Sequence, residues 1–211
     1  MLFGKFEQTS NRKNEHITPV AIEDVFPSFF KRLPEKFQYL NNLSYLRQTK
    51  ITITDDKIAL FDKAMENVIG YIQFDKFERE EVDYQKKVNY YDSFYYMYNF
   101  GIFHLFAGKS YGSLLIELVN RFLLDNKKNA FLDNDIYLIS AVNSSVIELR
   151  RKDFQFGKKH FYANHGWEEL DSMDVVNNGG YVMAFNGKQD IENFSKFKLF
   201  LSDNVKKLMH I

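Results

Sequence analysis

The chain has 211 residues, no cysteine, and 28 Lys+Arg against 28 Asp+Glu, so its formal net charge is zero. A chain of this length is expected to form one domain over 1–211 and to bury roughly 70% of its unfolded surface, which removes any need for a metal or disulfide staple. Without cysteine there is no disulfide framework, thiolate-ligated zinc, iron–sulfur cluster or thiol nucleophile, and balanced charge gives no overall pull toward a phosphate backbone, so nucleic acid is not an expected partner.

Met1–Gln8 turns polar at once and lacks the apolar core of a signal peptide. No apolar run reaches the roughly 20 residues that cross a bilayer. A cytoplasmic protein with no membrane partner is the expectation. From Thr18 the pattern reads as helix. Pro27 and Pro34 divide it into two short helices that carry Phe26–Phe30 and then Phe37, Leu40 and Leu43.

Strand signals come next. Lys57–Phe61 reads as a strand, and so does Asn67–Phe74, rich in β-branched and aromatic residues. The charged stretch Asp75–Asp83 reads as a solvated loop. Ser93–Phe106 is a nearly continuous aromatic and aliphatic run, expected as one strand buried on both faces, with Gly101 marking a bulge or a close backbone approach. The period then changes. Tyr111, Leu114, Leu115, Leu118, Val119 and Phe122 fall on one helical stripe, with Glu117, Asn120 and Arg121 on the polar face.

Ile136–Val142 reads as a further buried strand, and Ser145–Glu148 as a capping box that starts a helix. A helical turn over 158–164 is closed by Gly166 as its C′ residue. Trp167–Leu170 and Tyr181–Phe185 are two last strands about an Asn177–Gly180 turn. Residues 190–208 form a terminal amphipathic helix with Ile191, Phe194, Leu201, Val205 and Leu208 on its apolar stripe. The order of elements is that of a mixed α/β domain with helical crossovers.

The segment that points to chemistry is Ala107–Ser113, joining a buried strand to an amphipathic helix. It is either an ordinary strand-to-helix turn or an anion site in which first-turn N–H groups and the helix dipole hold a phosphate. Gly108-Lys109-Ser110 matches the end of a P-loop, but Phe103 stands where that motif needs glycine. Gly108 and Gly112 lack the Rossmann spacing.

Ala107-Gly108-Lys109-Ser110-Tyr111-Gly112 resembles the pyrophosphate loop Gln/Arg-x-x-Gly-x-Gly/Ala of the GNAT superfamily of N-acetyltransferases, with Ala107 and Ser110 as departures. Phe161-Tyr162-Ala163-Asn164-His165-Gly166-Trp167-Glu168-Glu169 is similar to the same family's late helix and following strand. Together the two motifs cover a resemblance over about residues 57–186.

The resemblance implies a mostly antiparallel sheet splayed at its centre and flanked by helices, with a core of about 18–186 and an extra C-terminal helix at 190–208. It implies acetyl-CoA as co-substrate, seated between the strands at 94–106 and 136–142 and held through Gly108, Lys109, Ser110, Tyr111, Gly112 and Ser113. Tyr162 is then the group that protonates the departing sulfur, and an amine on a small molecule or protein is the acceptor. No metal is expected, since His160 and His165 are poorly spaced as ligands. Glu78, Glu80, Glu81, Asp92 and His104 are candidate bases by location, although His104 in a buried strand reads as core. Lys158 and Lys159 read as solvated. A homodimer through the terminal helix, and an inactive acyl-CoA-binding or protein-interaction module on the same fold, are the other expectations.

Overall fold

In the computed structural model, which describes residues 18–77, 93–133, 161–170 and 182–208, the prolines break the first helical stretch as the sequence predicts. Helix α1 (Ile22–Val25) and α2 (Ser44–Arg47) bracket two 3-10 segments, Phe29–Arg32 and Glu35–Asn42. Pro34 sits at the N-cap of the second, where a missing N–H costs no hydrogen bond. The apolar side chains of these turns, among them Phe29, Phe30, Phe37 and Leu40, are buried.

The sheet contains β1 (Val20–Ala21), β2 (Lys50–Ile53), β3 (Lys57–Phe61), β4 (Val68–Phe77), β5 (Phe94–Ile102), β6 (Asn129–Asp133), β7 (Glu168–Glu169) and β8 (Val182–Phe185). Their spatial order is β1-β2-β3-β4-β5-β6-β8-β7. Every neighbouring pair is antiparallel except β5 and β6, which are parallel. The expected mixed, mostly antiparallel sheet flanked by helices is therefore the observed one.

Several boundaries differ from expectation for physical reasons. β4 runs three residues beyond Phe74, through Asp75–Phe77, because that part of the charged stretch pairs with Phe94–Tyr96. The aromatic run does not stay a strand to Phe106. β5 ends at Ile102 and a 3-10 turn, His104–Phe106, lifts the chain off the sheet. His104 is thus exposed, not core, and Leu105 beside it is 68% exposed.

The expected irregularity is present but lies beside Gly101. Gln73 pairs with Tyr98 and Tyr71 with Gly101, so Ile72 faces both Asn99 and Phe100. Asn99 takes φ of 52° and its side-chain amide donates to Gln73 Oε1 at 2.8 Å, a bulge of the kind that bends and twists a strand. The close backbone approach is at Gly70, where a Cβ would sit 2.5 Å from the Gly101 carbonyl oxygen.

Helix α3 (Tyr111–Asp125) follows, with the expected stripe packed on the sheet. Its supposed polar face is not solvated: Glu117 and Asn120 are each 6% exposed. β6 is an element the sequence pattern did not show. Its apolar centre is only Ala130-Phe131-Leu132, bracketed by Asn129 and Asp133, and what makes it a strand is pairing on both sides, with β5 and with β8. The expected strand 136–142, the helix from Ser145 and the turn 177–180 lie outside the described residues.

β8 shows why the sheet is covered twice. Met183 and Phe185 join the core beneath α3 and the N-terminal turns, while Val182 and Ala184 join a second core with Phe94 and helix α4 (Ile191–Leu208). α4 therefore packs over the sheet. Its inward stripe is Phe194, Phe197, Phe200 and Leu201, and Ile191, expected on that stripe, is 82% exposed in the first turn. Val205 and Leu208 fall beyond the described side chains.

Gly187 is the most tightly enclosed glycine among the described residues. A Cβ there would lie 1.9 Å from the Lys128 carbonyl oxygen and 2.8 Å from its carbon, both backbone atoms of the turn after α3. Gly187→Ala is expected to cost about 2–3 kcal/mol, since neither backbone can yield cheaply. A lower urea midpoint at unchanged m-value checks this, and an unchanged midpoint refutes it.

Candidate active site

The chain enters the candidate loop from β5 and leaves it as α3. Gly108 has φ of 74° and Ser110, the N-cap, φ of 60° and ψ of 7°. These two left-handed residues turn the backbone sharply at the C-terminal end of a strand. Ser110 makes no side-chain cap bond, so its hydroxyl does not occupy the first-turn N–H groups of Tyr111, Gly112 and Ser113. Gly108 is exposed, and a Cβ on it would meet nothing within 4 Å. The result is an open, donor-lined helix start with the exposed Lys109 next to it.

The loop is anchored from behind. Tyr45 Oη donates to the Lys109 carbonyl at 3.2 Å, and the Tyr111 ring meets Tyr45 at 5.7 Å and Phe106 at 5.8 Å, both edge to face. Burial and then the neighbouring Tyr45 phenol push the Tyr111 hydroxyl above the usual phenol range, against the effect of a hydrogen bond with Thr49. Tyr111 is thus a neutral anchor of the loop.

Tyr162 lies in a helical turn over 161–164 that ends in a Schellman motif. The Trp167 N–H donates to the Tyr162 carbonyl at 3.1 Å, the Gly166 N–H donates to Ala163 at 3.0 Å, and Gly166 has φ of 84°. The expected C′ glycine is therefore in place. The Tyr162 ring is 1% exposed and sits in an aromatic cluster: Phe161 at 5.3 Å, Phe100 of the bulge at 5.6 Å and Trp167 at 6.4 Å. Core packing is part of its role.

These parts converge. A Cβ on Gly112 would touch Phe161 Cζ at 3.7 Å and Ile102 Cγ1 at 3.9 Å. The N-terminus of α3, the end of β5 and the tyrosine-bearing turn therefore meet at one place. Among the described residues the β5–β6 ladder ends at Met97–Leu132, while β5 runs on to Ile102. The bulge lies in the length of β5 beyond that ladder, where β5 still pairs with β4. The loop thus stands beyond the carboxyl end of β5, the strand at which a meander of antiparallel strands gives way to a parallel pair.

Of the candidate bases, Glu78, Glu80, Glu81 and Asp92 lie outside the described residues, as do Lys158, Lys159 and His160. The structure adds a carboxylate that sequence spacing did not mark. Asp75 accepts a hydrogen bond from Tyr98 Oη at 3.4 Å, one residue before the bulge. Burial, and next the Asp75 charge, raise the Tyr98 phenol above its usual range. Only the β4–β5 register brings these two together, so no local pattern reveals them. The described residues hold no group of three metal-ligating side chains and no helix long and apolar enough to cross a membrane.

No protein-family model matches the chain, and no curated protein matches it in sequence. Solved structures do. One is the Bacillus subtilis N-acetyltransferase YlbP in complex with coenzyme A, at 8% identity and TM-score 0.39 over 80% of this chain and 93% of that one. Another is Chaetomium thermophilum Naa20 in complex with a bisubstrate analogue, at 15% identity and TM-score 0.39 over 83% and 90%. Arabidopsis thaliana NAA60 in complex with acetyl-CoA gives 13% identity and TM-score 0.36 over 80% and 97%.

Proposed function

We propose that the protein is an acetyl-CoA-dependent N-acetyltransferase, moving an acetyl group to a primary amine by direct attack. The observation that carries the reading is the convergence of an uncapped helix start, a bulged strand end and the Tyr162 turn around Gly112. The sequence motifs of the loop and of Phe161–Glu169 fall on that same point, which supports the resemblance to GNAT acetyltransferases.

The donor supplies an activated thioester whose C–S bond breaks as the new C–N bond forms. The chain's own residues would do the rest. N–H groups of Gly112 and Ser113, with Lys109, hold the pyrophosphate and fix the register of the bound molecule. The bulge at Asn99–Phe100 frees backbone from the ladder beside the acyl position. Tyr162 Oη gives its proton to the departing sulfur, a transfer that suits a phenol because its ordinary pKa of about 10 is close to that of a thiol. Asp75, on the same strand pair, would take a proton from the acceptor ammonium, directly or through water.

Thermal unfolding with acetyl-CoA, desulfo-CoA and ATP tests the reading. At 100 times its dissociation constant a ligand adds about 2.7 kcal/mol, or roughly 5–10 °C for a chain of this size. A rise with the first two and not with ATP is expected, and no rise with either CoA compound refutes it. Gly112→Glu is expected to abolish that rise while the protein still folds. The added Cβ meets only ordinary contacts at 3.7 Å, whereas the carboxylate repels a phosphate at a helix N-terminus. Normal binding by a folded Gly112→Glu protein removes the loop from the site.

A further inference from the structure

The far half of α3 borders a second site that the acetyl-transfer reading does not use. A cavity of about 270 Å³ lies between α3, the 3-10 segments at 29–42 and the turn at His165–Gly166. This is just below the roughly 300–1,000 Å³ usual for small-molecule sites. Arg121 on its rim is eleven residues along the helix from Ser110, about 16 Å of axial rise.

The polar wall is a histidine held on every side but one. His165 is 5% exposed. Its Nδ1 meets Glu117 Oε1 at 2.5 Å, and its carbonyl accepts from Asn120 Nδ2 at 2.9 Å. The ring stacks on Phe37 at 4.0 Å with 2° between planes, and Phe161 lies 4.7 Å away. With Nδ1 taken, Nε2 is the ring's remaining hydrogen-bonding atom and has no partner among the described residues. The carboxylate on Nδ1 fixes the orientation of the ring.

The charge around this histidine is lopsided. Arg32, Lys36 and Arg121 line the cavity against the single carboxylate of Glu117, which is already engaged. Lys36 also donates to the Asn164 carbonyl, and Arg121 pairs with Asp125 at 2.6 Å. Arg32 makes no ion pair or side-chain hydrogen bond with a described residue, and it is exposed. The rest of the lining is apolar, chiefly Phe29, Leu33, Phe37 and Phe185.

We propose that this cavity binds a small carboxylate with a compact apolar body. Arg32 takes the carboxylate in a bidentate pair, His165 Nε2 donates the second contact when protonated, and the phenylalanine floor covers the apolar part. A guanidinium is suited to this because its fork matches the two carboxylate oxygens. An amine of the same shape meets three cations, and an amide loses the ion pair.

The experiment titrates the full-length protein with benzoate, benzamide and benzylamine by calorimetry and ligand-observed NMR. Benzoate is expected to bind with a dissociation constant of about 1 mM or below, and the other two at least tenfold more weakly. Arg32→Glu, an exposed position that leaves folding intact, is expected to weaken benzoate at least tenfold and to leave stabilisation by acetyl-CoA unchanged. His165→Gln supplies a second reading where it folds, with a loss of at least threefold. Benzoate that fails to saturate by about 10 mM, equal binding of benzoate and benzamide, or an Arg32→Glu protein that binds normally would overturn the proposal. These outcomes are independent of whether acetyl-CoA binds at the other end of the helix.

Discussion

Tyr162→Phe is expected to lower the rate of acetyl transfer about 10²–10⁴-fold, the span that a positioned proton donor contributes, while acetyl-CoA affinity changes by less than about twofold. The two effects separate because the hydroxyl acts on charge that develops at sulfur only as the C–S bond breaks. The phenyl ring keeps the contacts with Phe100, Phe161 and Trp167, so the fold and the pocket should survive. A ring that served the core alone would give a variant of full activity. Steady-state CoA release, with the thermal shift by acetyl-CoA as a binding control, decides between the two. Retained turnover in the variant would take the proton-donor role away from Tyr162.

Trp167→Ala is expected to destabilise the protein by about 3–5 kcal/mol, the range for removing a large buried aromatic. Trp167 is 2% exposed and packs on Phe185 at 5.2 Å. Its Nε1 donates to Asn120 Oδ1 at 2.8 Å. The loss therefore combines a cavity with an orphaned buried acceptor on α3. Trp167→Phe restores much of the volume but not the donor, and should recover only part of the stability. Urea unfolding of the two variants separates packing from hydrogen bonding. Equal midpoints for Trp167→Phe and the parent would show that the indole N–H contributes nothing.

What the sequence displayed was whatever is locally encoded. β3 falls on the expected residues, α3 on its stripe, and the Gly166 cap where a glycine after a helical turn predicts it. The two motifs of the candidate site are local as well, and so both were visible. What was hidden depends on pairing across long stretches of chain. Glu117 and Asn120 looked solvated because nothing nearby in sequence shows that His165 and Trp167, 48 and 47 residues on, cover them. β6 has no mark in the sequence pattern because its strand character comes from β5 and β8. Asp75 and Tyr98 looked unrelated until the β4–β5 register joined them. The exposure of His104 is hidden for a related reason: an apolar run does not reveal where a chain leaves its sheet.

The second core has a consequence for how the protein is made. Phe94, Val182 and Ala184 lie in the sheet, but the Phe194, Phe197 and Leu201 side chains that cover them come from α4. As the chain leaves the ribosome, the described side chains that cover this apolar face arrive only when α4 has been synthesised. During that interval it is a surface for chaperones, or for other unfinished chains.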